Sequence, residues 1–409
     1  MCTGVVGAGV CLEATKRGFK VALIDRYDFA AGTSSNSTKL IHGGVRYLEQ
    51  AIYTLDLPML KLVAEALRER GHMIRSASYM NHPLPIIIPI YSWWELPYMW
   101  IGCKLYDLIA LTDGSVPSSY YISPNDIRSK FPTLRCDNVV GGIVYFDGQM
   151  NDARHTLTLL LTAQEAGATV VNYVNVDAFV KSQTDTQFLR KDLPSSATVS
   201  VSPIQDRWIC GVGVTDTLSG ERWNIRTKVV INATGTHADA VRKLDDPNAM
   251  DLVIPSGGVH LALNPTQFPT DIGLLIPKTT DKRVLFCLPW ENGVVAGTTD
   301  SVYGIEDHPR ARPEDVQLIL DNLNRYLRTP ITDDDILSVW CGVRPLVRNP
   351  KYAHQTTAKV SRDHMIVTSN SGLITVLGGK YTTYRLMAQQ TVDTLLQLYT
   401  PSYFSHTNL

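Results

Sequence analysis

The sequence predicts an α/β fold. Three observations predict it: a glycine-rich turn leading into a helix and a short apolar strand at the N-terminus, β-branched runs that alternate with helical patterns, and a length of 409 residues with 44% hydrophobic and 19% charged residues. That length allows two or three domains, or one large α/β unit with insertions, with ample core. Gly4-Val-Val-Gly7-Ala-Gly9 forms the turn, residues 10–17 follow with helical propensity, and Gly18 stops the helix. Residues 20–25 are an apolar run ending in Asp25. This is the turn–helix–strand portion of a dinucleotide-binding βαβ unit. Glycines let backbone approach a pyrophosphate, and the helix N-terminus supplies N–H donors. Asp25, 21 residues after Gly4, is placed to accept from a ribose diol. The first glycine of the G-x-G-x-x-G pattern would fall at Cys2, and the strand before it ahead of Met1. An ordinary glycine-rich turn is the competing reading.

Composition excludes several classes. Lys plus Arg total 38 and Asp plus Glu 39, a net charge of −1, so a dominant nucleic-acid partner is not expected. Seven cysteines, at 2, 11, 103, 136, 210, 287 and 341, form no Cys-x-x-Cys pair, which argues against a disulfide framework or a zinc site and for buried reduced thiols. No metal site is expected. Residues 83–110 are the most apolar stretch, but Glu95, Lys104, Asp107 and prolines interrupt it, leaving less than the roughly 18 residues of a membrane span. Trp93, Trp94, Tyr98 and Trp100 read as an aromatic wall inside a substrate domain, with a membrane-interface patch as the alternative.

Residues 33–38 are a run of small hydroxyl and amide side chains, suited to a loop that wraps a polar ligand. His42-Gly43-Gly44 follows, then Arg46 and a helical pattern over 47–70. The stretch Gly32-Thr-Ser-Ser-Asn-Ser-Thr-Lys-Leu-Ile-His-Gly-Gly-Val-Arg-Tyr-Leu-Glu49 closely resembles FAD-dependent glycerol-3-phosphate dehydrogenases, particularly the mitochondrial type. Further matches are Asp147-Gly-Gln-Met-Asn-Asp-Ala-Arg154, Val230-Ile-Asn-Ala-Thr-Gly235, Gly258-Val-His260, Leu288-Pro-Trp290 with Gly297-Thr-Thr-Asp300, Gly342-Val-Arg-Pro-Leu346, Ser361-Arg-Asp-His364 and Gly378-Gly-Lys-Tyr-Thr-Thr-Tyr-Arg385.

The resemblance implies a two-domain FAD-dependent oxidoreductase fold, with a discontinuous Rossmann-like FAD domain and an antiparallel-sheet substrate domain. Residues 1–80, 150–249 and 340–395 are expected in the first, 81–149 and 250–339 in the second, and 396–409 as a tail. The implied reaction is oxidation of sn-glycerol 3-phosphate to dihydroxyacetone phosphate, with electrons passed to a quinone. An oxidase using oxygen and a truncated non-catalytic product are the alternatives. Arg46, Arg344, Arg362 and Lys380 are expected to converge on the substrate phosphate, where a guanidinium fork suits the oxygens. His260 is the expected base for the hydroxyl proton, with Lys380 able to share that role and Tyr47 able to bond the substrate. Gly4, Gly7, Asp25, Thr33, Ser34, Ser35, Thr38, Lys39, Leu40, His42, Ala233, Gly235, Thr299, Asp300, Gly378, Gly379 and Lys380 are the expected FAD contacts. Asp147, Asn151, Asp152 and Arg154 are expected to form a structural polar corner. The resemblance also implies a mitochondrial setting and leaves peripheral membrane attachment and a homodimer open. No calcium loop of the D-x-[DN]-x-[DN]-G kind is present. The expectation is a chain shorter than its relatives at both ends, whose pyrophosphate turn lacks its leading strand.

Along the rest of the chain, a helix is expected over 157–166 with Gly167 as its cap, and a strand over 168–174. Hairpins over 199–232 should end in a buried strand at 228–232. A surface loop is expected over 182–202 and a helix near 313–327. A strand over 372–379 should be followed by a closing helix.

Overall fold

The computed structural model describes residues 4–110, 114–182, 208–277, 279–280, 283–348 and 363–399. The chain divides into two compact units: residues 1–35, 153–255 and 344–409 in the first, 36–152 and 256–343 in the second.

In the first unit the helix Val5–Lys16 begins at Gly4, and Gly18 takes φ +87°, the left-handed conformation that ends a helix without a Cβ penalty. The strand Ala22–Ile24 follows and pairs in parallel with Thr169–Val171, the strand after the helix Asp152–Glu165. A separate sheet orders Ile231–Asn232, Ile374–Gly378 and His364–Thr368, its first pair parallel and its second antiparallel. A third, antiparallel, joins Val174–Ser182, Trp208–Asp216 and Arg222–Arg226. The expected Rossmann-like sheet is thus present in two pieces among the described residues. The closing helix Tyr384–Tyr399 packs on the first helix. Val10, Ala14, Ala388 and Val392 form their shared core, and Gly9 makes the approach possible: a Cβ there would lie 2.9 Å from the Tyr384 ring.

The second unit is built on one ten-stranded, largely antiparallel sheet. Its order runs Ser301–Val302, Val253–Leu263, Gly293–Gly297, Leu285–Trp290, Gly273–Ile276, His82–Ile90, Gly141–Gln149 and Leu40–Ile41. Ile336–Val347 pairs additionally with Val253–Leu263, and Tyr120–Ile122 with Gly141–Gln149. Side chains alternate across it as strand geometry demands. Ile87, Val144, Val259, Leu261 and Leu274 face one core with Ile319 and Leu323 of the helix Pro313–Asn324. Ile86, Ile88, Ile143 and Tyr145 face another with Leu48, Leu67 and Tyr106.

Several expectations change. Residues 36–80 group with the second unit, because Leu40–Ile41 is a strand of its sheet and Leu48, Val63 and Leu67 pack into its core. The helix expected over 47–70 is two helices, Val45–Thr54 and Leu57–Ser76. Leu55 takes φ +51°, and Asp56 starts the second helix by accepting from the Met59 N–H at 3.0 Å, with Pro58 in the first turn. The strand expected over 168–174 breaks where Tyr173 takes φ +56°, so that Val174 enters a different sheet. The strand at 228–232 contracts to Ile231–Asn232. Residues 83–110 form a strand and the helix Glu95–Ala110. Trp93 and Trp94 between them are 72% and 71% exposed, so they are not an internal wall. The expected loop over 182–202, apart from Ser182, and the tail beyond 399 lie outside the described residues. Cys11, Cys103, Cys136, Cys287 and Cys341 are buried free thiols, and burial pushes Cys11 up to about 11 and Cys103 up to about 12.

Candidate active site

Three strand ends of the first unit carry expected cofactor contacts. Asp25 follows Ala22–Ile24, Ala233 and Gly235 follow Ile231–Asn232, and Gly378, Gly379 and Lys380 end or follow Ile374–Gly378. Ligands of open α/β sheets bind outside the carboxyl ends of the strands. Each end is held in shape. Asp25 is buried and accepts from the Tyr27 N–H at 2.9 Å. Asn232 donates to the Ala238 carbonyl at 3.0 Å and accepts from Thr234 Oγ1 at 2.7 Å. Gly235, Gly378 and Gly379 all take positive φ, where a side chain would be strained. Thr33, Ser34 and Ser35 form a single 3₁₀ turn, and Ser34 Oγ caps the first helix by accepting from the Val5 N–H at 2.9 Å. The following amides, Gly7's among them, have no intrahelical acceptor by geometry. A Cβ at Gly4 would come within 2.7 Å of Ser34 Oγ. These glycines and first-turn amides suit a pyrophosphate.

His155 is also part of this unit and was not anticipated. It is buried against Tyr381 and Tyr384, with ring centroids 5.8 and 5.4 Å away. Tyr381, next to Lys380, shares its hydroxyl with His155 Nδ1 at 3.2 Å and Thr156 Oγ1 at 2.8 Å. Burial lowers His155 from 6.5 to about 4, so the ring is neutral at physiological pH. Its only signal in the sequence was adjacency to the Asp147–Arg154 motif.

The second unit brings Thr38, Lys39 and His260 together. His260 lies in Val253–Leu263 opposite Gly297 and is 2% exposed. Its Nε2 is hydrogen-bonded to Thr38 Oγ1 at 2.8 Å. Its ring stacks on Trp340 with centroids 5.5 Å apart and planes 15° from parallel. Lys39 Nζ pairs with Asp152 at 2.6 Å and sits 5.6 Å from the Trp340 ring centre. Asp152 also accepts from the amide and hydroxyl of Ser37, at 3.0 and 2.6 Å. Thr299 Oγ1 accepts from the Val259 N–H at 3.1 Å, and Asp300 accepts from Ser256, so both expected FAD contacts brace the His260 strand. Trp340 escaped the sequence analysis because one tryptophan in a β-branched strand reads as packing.

A buried cluster supports the His42-Gly43-Gly44 turn. Arg70 donates to Asp147 Oδ1 at 2.7 Å and to the Phe146 carbonyl at 3.0 Å, and both side chains are 0–1% exposed. Tyr106 donates to the same oxygen at 2.7 Å, and the Gly43 N–H reaches Tyr106 Oη at 2.9 Å. Burial raises the Asp147 carboxyl above its ordinary range, against the opposing pull of Arg70. Asp147 was expected to be structural; Arg70 was not singled out.

Of the remaining expected residues, Leu40 is buried and pairs with Gln149, while His42 is half-buried. The Tyr47 ring lies against Gly44, where a Cβ would come within 2.4 Å. Arg46 lies in the helix Val45–Thr54. Arg344 is half-buried in Ile336–Val347, and Lys380 is half-buried. Arg362 lies outside the described residues. No group of metal ligands is found among the described residues.

A family profile described as FAD dependent oxidoreductase matches residues 3–385. The chain belongs to this FAD-dependent oxidoreductase family. Its cofactor is FAD, and the strand ends and first-turn amides of the first unit could hold it. The chain is similar to rat mitochondrial glycerol-3-phosphate dehydrogenase, 45% identical over 400 residues, covering 97% of this chain and 52% of the relative. It is 45% identical to the human mitochondrial protein of the same name over 392 residues, 95% of this chain and 51% of that one. Among solved structures, it resembles glycerol-3-phosphate dehydrogenase from Bacillus halodurans complexed with FAD. That match has TM-score 0.71 and 30% identity, and covers 96% of this chain and 63% of the other. The chain spans about half the length of the curated relatives it matches.

Proposed function

We propose that this FAD-dependent oxidoreductase oxidises sn-glycerol 3-phosphate at carbon 2 to dihydroxyacetone phosphate and passes the electrons to a quinone in mitochondria. The observation that carries the reading is the 45% identity to mitochondrial glycerol-3-phosphate dehydrogenase over 97% of the chain. When bound, FAD supplies the hydride acceptor. The chain's own residues supply charge, orientation and a base. His260, held by Thr38, accepts the proton of the substrate hydroxyl. Arg46, Arg344, Arg362 and Lys380 hold the phosphate, a dianion that requires local cations in a chain of net charge −1. Gly4, Gly7, Asp25, Ser34, Gly235, Gly378 and Gly379 hold the cofactor.

A quinone acceptor would be met at a membrane surface. Tyr53, Leu55, Leu57, Trp93, Trp94, Ile101 and Leu108 of the second unit are each at least 60% exposed, and exposed tryptophan with aliphatic neighbours suits an interface. No helix among the described residues is long and apolar enough to cross a membrane.

The test is anaerobic addition of glycerol 3-phosphate to the yellow FAD-loaded protein. Bleaching, followed by recolouring on addition of a quinone, is the expected result. Peroxide formation in air without quinone would favour the oxidase, and an unbleached yellow protein would defeat the substrate assignment. Arg344→Ala should lose substrate affinity while keeping FAD.

A further inference from the structure

We propose that Trp340 is a positioning residue for His260 and acts through the face of its ring. The proposal rests on His260 being the base of the reading above. His260 is held on three sides. Thr38 Oγ1 fixes Nε2 at 2.8 Å. The backbone of Gly297, its partner across the antiparallel ladder, comes so close that a Cβ there would lie 2.5 Å from His260 Cδ2. Trp340 stacks on the imidazole in an offset arrangement, with ring planes 15° apart and centroids 5.5 Å apart.

One hydrogen bond leaves a ring free to rotate about the axis through that bond, and an offset-stacked neighbour restricts this freedom. A base earns its rate only when its nitrogen waits at hydrogen-bond distance and in line with the proton, so lost orientation falls on the catalytic step. The indole nitrogen is not the active part: Trp340 Nε1 is buried and has no acceptor among the described residues. A phenyl ring should therefore substitute for the indole, and an aliphatic chain of similar bulk should not. Lys39 lies 5.6 Å from the same indole centre, so Trp340 also sits beside the cation next to Thr38.

The experiment compares Trp340→Phe and Trp340→Met in the full FAD-loaded chain, with His260→Gln to assign the His260 signals in protein labelled at histidine. Aromatic pairing of this kind predicts a fall in kcat of about two- to tenfold for Trp340→Met, with KM for glycerol 3-phosphate changed by less than about twofold, and near-complete rescue in Trp340→Phe. In NMR spectra the ring current of the indole shifts the His260 carbon-bound ring protons. That shift should shrink in Trp340→Phe, whose ring current is weaker, and vanish in Trp340→Met. Unmoved His260 signals in either variant, unchanged kcat in Trp340→Met, or equal impairment of both variants overturns the proposal. If Trp340→Met yields no folded protein, the shift in Trp340→Phe decides alone. If the unaltered protein does not oxidise glycerol 3-phosphate, the substrate reading fails while the spectra still report whether Trp340 orients the ring.

Discussion

Removing the Asp147 carboxylate should be among the most damaging single changes in the second unit. Asp147→Ala leaves the Arg70 guanidinium, 0% exposed, without its ion-pair partner at 2.7 Å. Breaking one partner of a buried pair costs about 3–5 kcal/mol. The Tyr106 hydroxyl loses its acceptor in the same step, and that buried orphan adds about 1–3 kcal/mol, while the Gly43 N–H keeps its 2.9 Å bond to Tyr106 Oη. A protein has only about 5–15 kcal/mol of stability in total, so the variant should sit close to its unfolding threshold. Replacing both partners, as Asp147→Leu with Arg70→Met, should recover most of the ion-pair loss but not the loss at Tyr106. Urea unfolding followed by tryptophan fluorescence is the assay, because Trp93, Trp94, Trp100, Trp290 and Trp340 all lie in the second unit. A loss of less than about 1 kcal/mol in Asp147→Ala would refute the view of this cluster as a closed, charge-paired core. The pH dependence has a definite sign. Because burial raises Asp147 in the folded state, the folded chain binds this proton more tightly than the unfolded chain. This group therefore favours folding as pH falls through its folded value, and acid unfolding must begin elsewhere.

His155 is such a place. Its folded value of about 4 lies below 6.5, so the unfolded chain takes the proton first, and about 3 kcal/mol of stability is lost as pH falls from 6.5 to 4. His155→Gln should flatten that part of a stability-against-pH curve. Thr38→Val removes the hydroxyl on His260 Nε2, and kcat should fall about two- to tenfold with KM nearly unchanged, as a steady-state comparison would show. Gly342→Ala places a Cβ 2.4 Å from the Asn36 carbonyl oxygen, a backbone atom that cannot swing aside. A loss of about 1–3 kcal/mol is expected in thermal or urea unfolding.

Some of this protein was legible in the residues alone. The helix Val5–Lys16, its stop at Gly18 and the acid after Ala22–Ile24 follow from glycine, helix propensity and an apolar run, all of which act over a few neighbours. The motifs around His260, Gly378 and Thr38 were visible for the same reason: each is a short contiguous pattern. What the residues could not disclose depends on contacts between distant segments. Thr38 and His260 are 222 positions apart, and only the sheet brings them to 2.8 Å. Residues 36–80 join the second unit because Leu40–Ile41 pairs with Gly141–Gln149, a choice of strand partner that no local pattern encodes. Arg70, His155 and Trp340 look ordinary in sequence, since burial and stacking are properties of surroundings rather than of residue type. Chain-local chemistry determined where the turns, helices and motifs would be. Long-range packing alone decided which of those side chains would meet.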